Sequence, residues 1–279
     1  MNGLIMRNPK RVSAVQYLDA DCRPLDDAMD GPASQPHHHD GLHPEHYQAN
    51  TPFSAMVVIE LERGWHVYWQ NAGDTGAPTS IKWNLPEGWA VSEPTWPTPH
   101  KFEEPGMVSF GYEDRLVLAY QITPSTGSGN VTLQAKGEWL QCKEMCTPGD
   151  GEASVTMKEG TGEPSWPSFL QPETLKAQFP MGPVKTTATW GETGPVVKVP
   201  AHERLKDAVL FEVYPEQEST LDHLRMVKSM RQSADSWTMT LVASSYFAEK
   251  PAELRLVLVP LNREGKRLNA GIRLIASVE

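Results

Sequence analysis

Two cysteines four positions apart, Cys142 and Cys146 in the run GEWLQCKEMCTPGDGEASV, are the residues whose type and spacing best suit chemistry. In an extended strand their Cα atoms would stand about 13 Å apart, whereas a disulfide accepts roughly 4.4 to 6.8 Å. A bond between them therefore requires the chain to turn, and Thr147-Pro148-Gly149-Asp150 supplies turn chemistry directly after the second sulfur. A helical turn or a tight hairpin end would serve, and either places the pair at the edge of a sheet. As a cross-link the bond is weak: on the chain-entropy model closing about five residues contributes about 2 kcal/mol, against about 5 kcal/mol for a loop of roughly 120 residues. Spacing alone leaves four readings open: an exchange-active disulfide, a structural surface disulfide, two free thiols, or half of a zinc site completed by histidines from elsewhere. Lys143 favours a thiolate and Glu144 opposes it, so local charge does not select the attacking sulfur. The third cysteine, Cys22, is remote from the pair and is expected to be redundant.

A second cluster of ligating residues is the run PHHHDGLHPEH, with His37, His38, His39, His43 and His46. Five imidazoles so close could hold copper, nickel or zinc. Their irregular spacing defines no coordination shell, so the run reads as part of a solvated arm, and no metal or organic cofactor is expected.

The elements that must position the cysteines read as all-β. The 279 residues contain 21 Gly and 24 Pro with 39% hydrophobic content, which predicts short strands joined by many turns and excludes a helical repeat. A net charge of −10, from 25 Lys+Arg against 35 Asp+Glu, argues against a phosphate-binding surface, so nucleic acid is not an expected partner. No apolar run approaches the roughly 18 residues of a membrane span. Arg7, Lys10 and Arg11 are not followed by the apolar stretch of a signal peptide, so export is not legible in the opening residues.

Four regions are expected. Residues 1–50 lack hydrophobic periodicity and read as a disordered or weakly ordered His-rich arm. Residues 51–160 read as a β-sandwich or barrel: Ala55, Val57, Ile59 and Leu61 alternate with their neighbours, Trp65, Val67 and Trp69 continue the pattern, and further runs appear at 116–122, 131–135 and 155–157. Five of the nine tryptophans lie between Trp65 and Trp96, where they are expected to serve chiefly as core. Residues 161–181 are Pro-rich, with at most one short helix around Pro172 to Gln178, and read as a linker. Residues 182–279 read as a second, smaller β-rich domain, with strands near 208–213, 237–243, 254–258 and 272–276 and a hairpin loop at Asn262 to Lys266.

Three blocks in order, GWHVYWQNAGDTGAPTSIKWNLPEGW (64–89), WPTPHKFEEPGMVSFGYEDRLVL (96–118) and WLQCKEMCTPG (139–149), resemble the N-terminal region of bacterial thiol:disulfide interchange proteins of the DsbD type and their copper-sensitivity-suppressor relatives. The W-x-x-Y-W-x-N-x-G-D-x-G-x-P pattern is long enough to be specific. The resemblance implies an immunoglobulin-like β-sandwich in the periplasm or otherwise exported. It implies a thiol:disulfide oxidoreductase module that takes electrons from a thioredoxin-like donor and passes them to oxidised periplasmic proteins. Cys142 and Cys146 would be the redox pair, the second forming mixed disulfides with partners. The stretch Lys101 to Tyr112 falls where the family places a cap loop whose ring covers the disulfide, with Phe102 first and Phe110 second as candidate rings and Tyr112 beside them. Familiar members have more than three residues between the cysteines. The electrons would come from a separate molecule, such as a membrane electron conduit. The rival reading is a non-catalytic protein-binding sandwich with a structural disulfide.

Overall fold

The computed structural model describes residues 2–6, 45–125, 127, 129–161, 172–233, 236–247 and 249–279. Cys22, His37, His38, His39 and His43 lie outside the described residues. Of the region expected as an arm, two pieces are strands: β1 (Asn2–Met6) and β2 (Glu45–Tyr47). His46, in β2, is exposed. No group of three or more His, Cys, Asp or Glu residues suited to a metal occurs among the described residues.

Two sheets face each other across the first core. One has the order β1-β3-β9-β6, with β3 at Phe53–Glu60, β6 at Ala90–Val91 and β9 at Arg115–Thr123. The other runs β2-β11-β10-β4-β8-β7, with β5 (Ser80–Asn84) also pairing β10. Its strands are β4 (His66–Gly73), β7 (His100–Glu104), β8 (Met107–Glu113), β10 (Val131–Cys142) and β11 (Cys146–Glu159). Val57, Ile59, Trp69, Phe110, Leu118, Leu133 and Trp139 fill the space between the sheets.

Alternation along β3 predicts one buried face, and here the structure differs: Met56 and Val58 are as buried as Val57 and Ile59. Their face packs with Val117 and with Leu175 of the short helix α1 (Pro172–Lys176), and Phe179 lies alongside. A strand covered on both sides reads as a continuous apolar run, and Ala55-Met56-Val57-Val58-Ile59 is one. The helix expected in the Pro-rich stretch therefore covers a sheet.

A third sheet follows, in the order β14-β17-β18-β12-β13-β16-β15. Its strands are β12 (Met181–Gly191), β13 (Gly194–Pro200), β14 (Leu210–Pro215), β15 (Val227–Gln232), β16 (Ser236–Leu241), β17 (Glu253–Leu261) and β18 (Ile272–Val278). β12 and β18 pair in parallel although they lie at opposite ends of this half. The expected loop at Asn262 to Lys266 is a turn in which the Asn262 Oδ1 accepts from the Glu264 and Lys266 amides. The chain is thus all-β, a sandwich followed by a second β-rich half. Buried residues of both halves form one continuous cluster, joined where Tyr214 packs edge-on to Trp69 and Phe110. No helix is long and apolar enough to cross a membrane among the described residues.

Candidate redox site

β10 and β11 form the longest hairpin, in unbroken register from Val131 opposite Met157 to Cys142 opposite Cys146. Val131, Leu133, Ala135 and Trp139 point to the core while Thr132, Gln134, Lys136 and Glu138 point out, so a single register satisfies the whole hairpin. That register brings the two sulfurs together. They form a disulfide, with Cα atoms 4.1 Å apart, and Lys143-Glu144-Met145 make the exposed tip between them. Of the two ways of turning the chain, the protein uses the tight hairpin end.

Cys142 is 3% exposed and Cys146 is exposed. Proximity to Trp139 and Leu140 suggests that Cys142 points into the sandwich; its burial has another source. Cys142 sits with Tyr68, Ala72 and Leu140 in a small cluster on the outer face of the sheet, apart from the main core. There β4 runs beside the end of β10, with His66 opposite Cys142. His66 and Tyr68, two apart on one strand, share that outer face while Val67 and Trp69 enter the core.

The Tyr68 hydroxyl donates to Cys142 Sγ at 2.9 Å and lies 3.8 Å from Cys146 Sγ. The His66 Nε2 stands 3.3 Å from the same hydroxyl. A His66 tautomer with its proton on Nε2 completes a chain of donors from imidazole to phenol to sulfur. Burial holds the His66 imidazole below its usual pKa, with Glu113 and Glu104 opposing that shift in part. Burial also raises the Tyr68 phenol; a hydrogen bond from Thr75 opposes the rise and Glu104 adds to it. At neutral pH Tyr68 is therefore a protonated donor, suited to a sulfur that becomes a thiolate.

The three cap candidates separate. Phe102 is half-buried and stacks on the His66 ring, centroids 4.7 Å apart and planes at 20°, so it joins the outer-face cluster next to the pair. Phe110 and Tyr112 are on the other face of β8: Phe110 is fully buried among Trp69, Tyr214 and His223, and the Tyr112 hydroxyl donates to the Pro97 carbonyl inside the core. Neither can cover the disulfide from there, which corrects their placement in the cap. His66 and Tyr68 are site neighbours that sequence reasoning missed. Their signal was the i, i+2 pair in a strand, which carries meaning only once that strand lies beside the cysteines.

Fold and site define a class: an all-β chain whose first sandwich is immunoglobulin-like and carries a cross-strand disulfide on its outer face. More particularly, residues 39–158 match the family model of the thiol:disulfide interchange protein DsbD, N-terminal. The resemblance read from the blocks at 64–89, 96–118 and 139–149 is borne out over that stretch. A comparison with curated proteins finds no match. Among solved structures, the N-terminal periplasmic domain of ScsB from Proteus mirabilis aligns with 83% of this chain and 89% of its own, at 16% identity and a TM-score of 0.52, a likeness of fold across both halves. A protein from Corynebacterium diphtheriae described as membrane anchored aligns with 84% of this chain and 52% of its own, at 13% identity and a TM-score of 0.22, too low to carry an argument.

Proposed function

We propose that this chain is a periplasmic or otherwise exported thiol:disulfide exchange module, relaying electrons through Cys142 and Cys146 from a thioredoxin-like donor to oxidised proteins. The observation that carries the reading is the asymmetry of the disulfide: one exposed sulfur, Cys146, bonded to one buried sulfur that already accepts a hydrogen bond from Tyr68. In the loading half-reaction a thiolate of the reduced donor attacks Cys146 Sγ, the bond to Cys142 breaks, and Cys142 leaves as a thiolate with the electron pair. The donor's second thiolate then attacks its own sulfur in the mixed disulfide and releases the Cys146 thiolate; the donor ends as a disulfide and the pair holds two electrons. In the unloading half-reaction Cys146 attacks an oxidised protein. Cys142 then attacks Cys146 Sγ, which re-forms the original bond and frees two thiols on the substrate.

Phe102, stacked on His66, serves in this reading as the shielding ring, and Phe102→Ala is expected to speed reaction of the reduced pair with hydrogen peroxide. The region boundaries at 50, 160 and 181 belong to the same proposal, with residues 182–279 as a second domain whose core runs on from that of the redox sandwich.

The test is the midpoint potential of the folded chain, measured against glutathione and thioredoxin. A couple that interconverts with thioredoxin under native conditions supports the relay. A bond that resists thioredoxin, with a potential below about −300 mV, is a structural cross-link and ends the proposal in favour of the non-catalytic binding module.

A further inference from the structure

The run Asn71-Ala72-Gly73-Asp74-Thr75-Gly76 carries much of the sequence pattern yet takes no part in the exchange steps above. Its polar side chains are nonetheless all engaged, and in two directions. Toward the second half, the buried Asn71 donates its Nδ2 to the Pro215 carbonyl at 2.8 Å and to the Gln217 carbonyl at 3.3 Å. Asp74 Oδ1 lies 2.8 Å from His223 Nδ1, and Asp74 Oδ2 accepts from the Val108 amide at 2.8 Å.

Toward the redox pair, the turn lies against Tyr68, with Pro78 bridged to the Tyr68 backbone. Gly76, at φ +95°, lies so close to the Tyr68 ring that a Cβ there would overlap it. The Thr79 hydroxyl donates to the Tyr68 carbonyl at 3.2 Å.

His223 is built for the contact. It is 7% exposed, packs edge-on to Phe110 with centroids 5.2 Å apart, and has its Nε2 buried without a partner. A carboxylate accepts only, so Nδ1 carries the proton, and the imidazole has one polar contact to make. Its own segment is fixed by the Leu221–Ala243 bridge and the Asp222 amide bond to the Val242 carbonyl.

We infer that His223 is a positioning residue for the redox pair: it holds Asp74, the Asp74–Gly76 turn holds Tyr68, and Tyr68 holds Cys142 Sγ. The second half is thereby part of the redox device. The inference rests on the exchange reading. A hydrogen bond from Tyr68 strengthens when Cys142 becomes a thiolate, so a displaced phenol withdraws stabilisation from that state and leaves the neutral thiol little affected. The step that depends on the Cys142 thiolate is its attack on a mixed disulfide at Cys146.

The experiment uses the full chain carrying Cys22→Ser in every variant, so that the third thiol releases nothing, reduced and mixed with Ellman's reagent in stopped flow. Attack by Cys146 releases a first nitrothiobenzoate, and closure by Cys142 releases a second as the disulfide re-forms, so the two phases report the two sulfurs. In His223→Leu the apparent pKa of the second phase is expected to rise by about one unit, with about a tenfold slower closure at neutral pH, while the first phase is unchanged. His66, Glu104, Glu113 and Lys143, the charged and titratable groups around the pair, stay constant across the variants. His223→Asn, whose amide can donate in place of Nδ1, is expected to restore the wild-type profile. Asp74→Ala removes the acceptor, breaks the same link from the other side and is expected to behave as His223→Leu, which provides a second variant if the first fails to fold. Superposed second-phase profiles for wild type and either folded variant would overturn the inference while leaving exchange intact. A wild-type chain that exchanges with Ellman's reagent but never with thioredoxin would take down the exchange reading and this inference with it.

Discussion

The two sulfurs of one disulfide meet different surroundings, and that difference sets the first prediction. Cys146 is reachable from solvent, whereas Cys142 lies under Tyr68, Ala72 and Leu140. Cys142→Ala is expected to trap a covalent complex with an oxidised thioredoxin-like protein, because the resolving thiol is gone; Cys146→Ala is expected to trap little. A non-reducing gel after mixing reads the result, and equal trapping by both variants would remove the asymmetry. The pair itself was legible in the sequence because four-residue spacing beside a Thr-Pro-Gly-Asp turn is a local signal. The placement of the two aromatic rings was only partly legible. Phe102 and Phe110 are both aromatic residues of one hairpin, but Phe102 lies opposite Ser109 and Phe110 opposite Lys101, so their rings fall on opposite faces. Register decides which face a ring takes, and register is a property of pairing that composition does not carry. His66 and Tyr68 were missed for a related reason, since their partner strand β10 lies far along the chain.

Strands and the helix that covers them carry the next two predictions. Leu175 is the α1 residue buried against Met56, Val58 and Val117, and Leu175→Ala is expected to cost about 2 to 3 kcal/mol in denaturant unfolding by opening the outer face of β3. No change in midpoint would mean that α1 does not seal that sheet. The other concerns acid. His66 on β4 and His100 on β7 both have pKa values lowered by burial, with Arg267 adding to the effect at His100. The unfolded chain, near the ordinary value of about 6.5, then binds more protons than the folded one as pH falls through that value and down through the depressed folded pKa. Stability contributed by the two neutral imidazoles is fully present above pH about 6.5 and is lost below it. Melting temperature is expected to fall on acidification in that window, and a variant carrying both His66→Gln and His100→Gln should show a flatter dependence. An equal slope in that variant would remove these residues from the acid response. Runs within β3, β4, β9, β10 and β11 were readable from alternation while β5 to β8 were not, and β3 broke the rule because its second covering element comes from the Pro-rich stretch more than a hundred residues later.

Taken whole, the molecule unites its two halves through apolar packing as well as hydrogen bonds. Tyr214 meets Trp69 and Phe110; Arg267 reaches across to the Pro99 carbonyl at 2.8 Å, and the Thr98 hydroxyl to the Ala270 carbonyl at 2.5 Å. Because the buried cluster is continuous, calorimetry is expected to show one unfolding transition, and Tyr214→Ala to lower it by about 3 to 5 kcal/mol without splitting it. Two separate transitions in the wild type would show that the halves unfold independently. The sequence conveyed that the second half is β-rich, yet the runs at β12, β13 and β15 went unread. The parallel pairing of β12 with β18 was equally invisible, because partners so distant leave no local mark. That pairing has a consequence for the order in which the chain can fold as it is synthesised. β18 sits between β17 and β12, so the third sheet lacks a central member until residues beyond 272 are available, whereas β3 to β11 have all emerged by residue 159. Closing so long a loop is slow, so a chain emerging from its N-terminal end completes the cysteine hairpin well before His223 has a finished sheet to hold it. In a chain that folds from its N-terminal end, the hairpin that sets Cys142 opposite Cys146 is thus complete before Asp74 meets its partner.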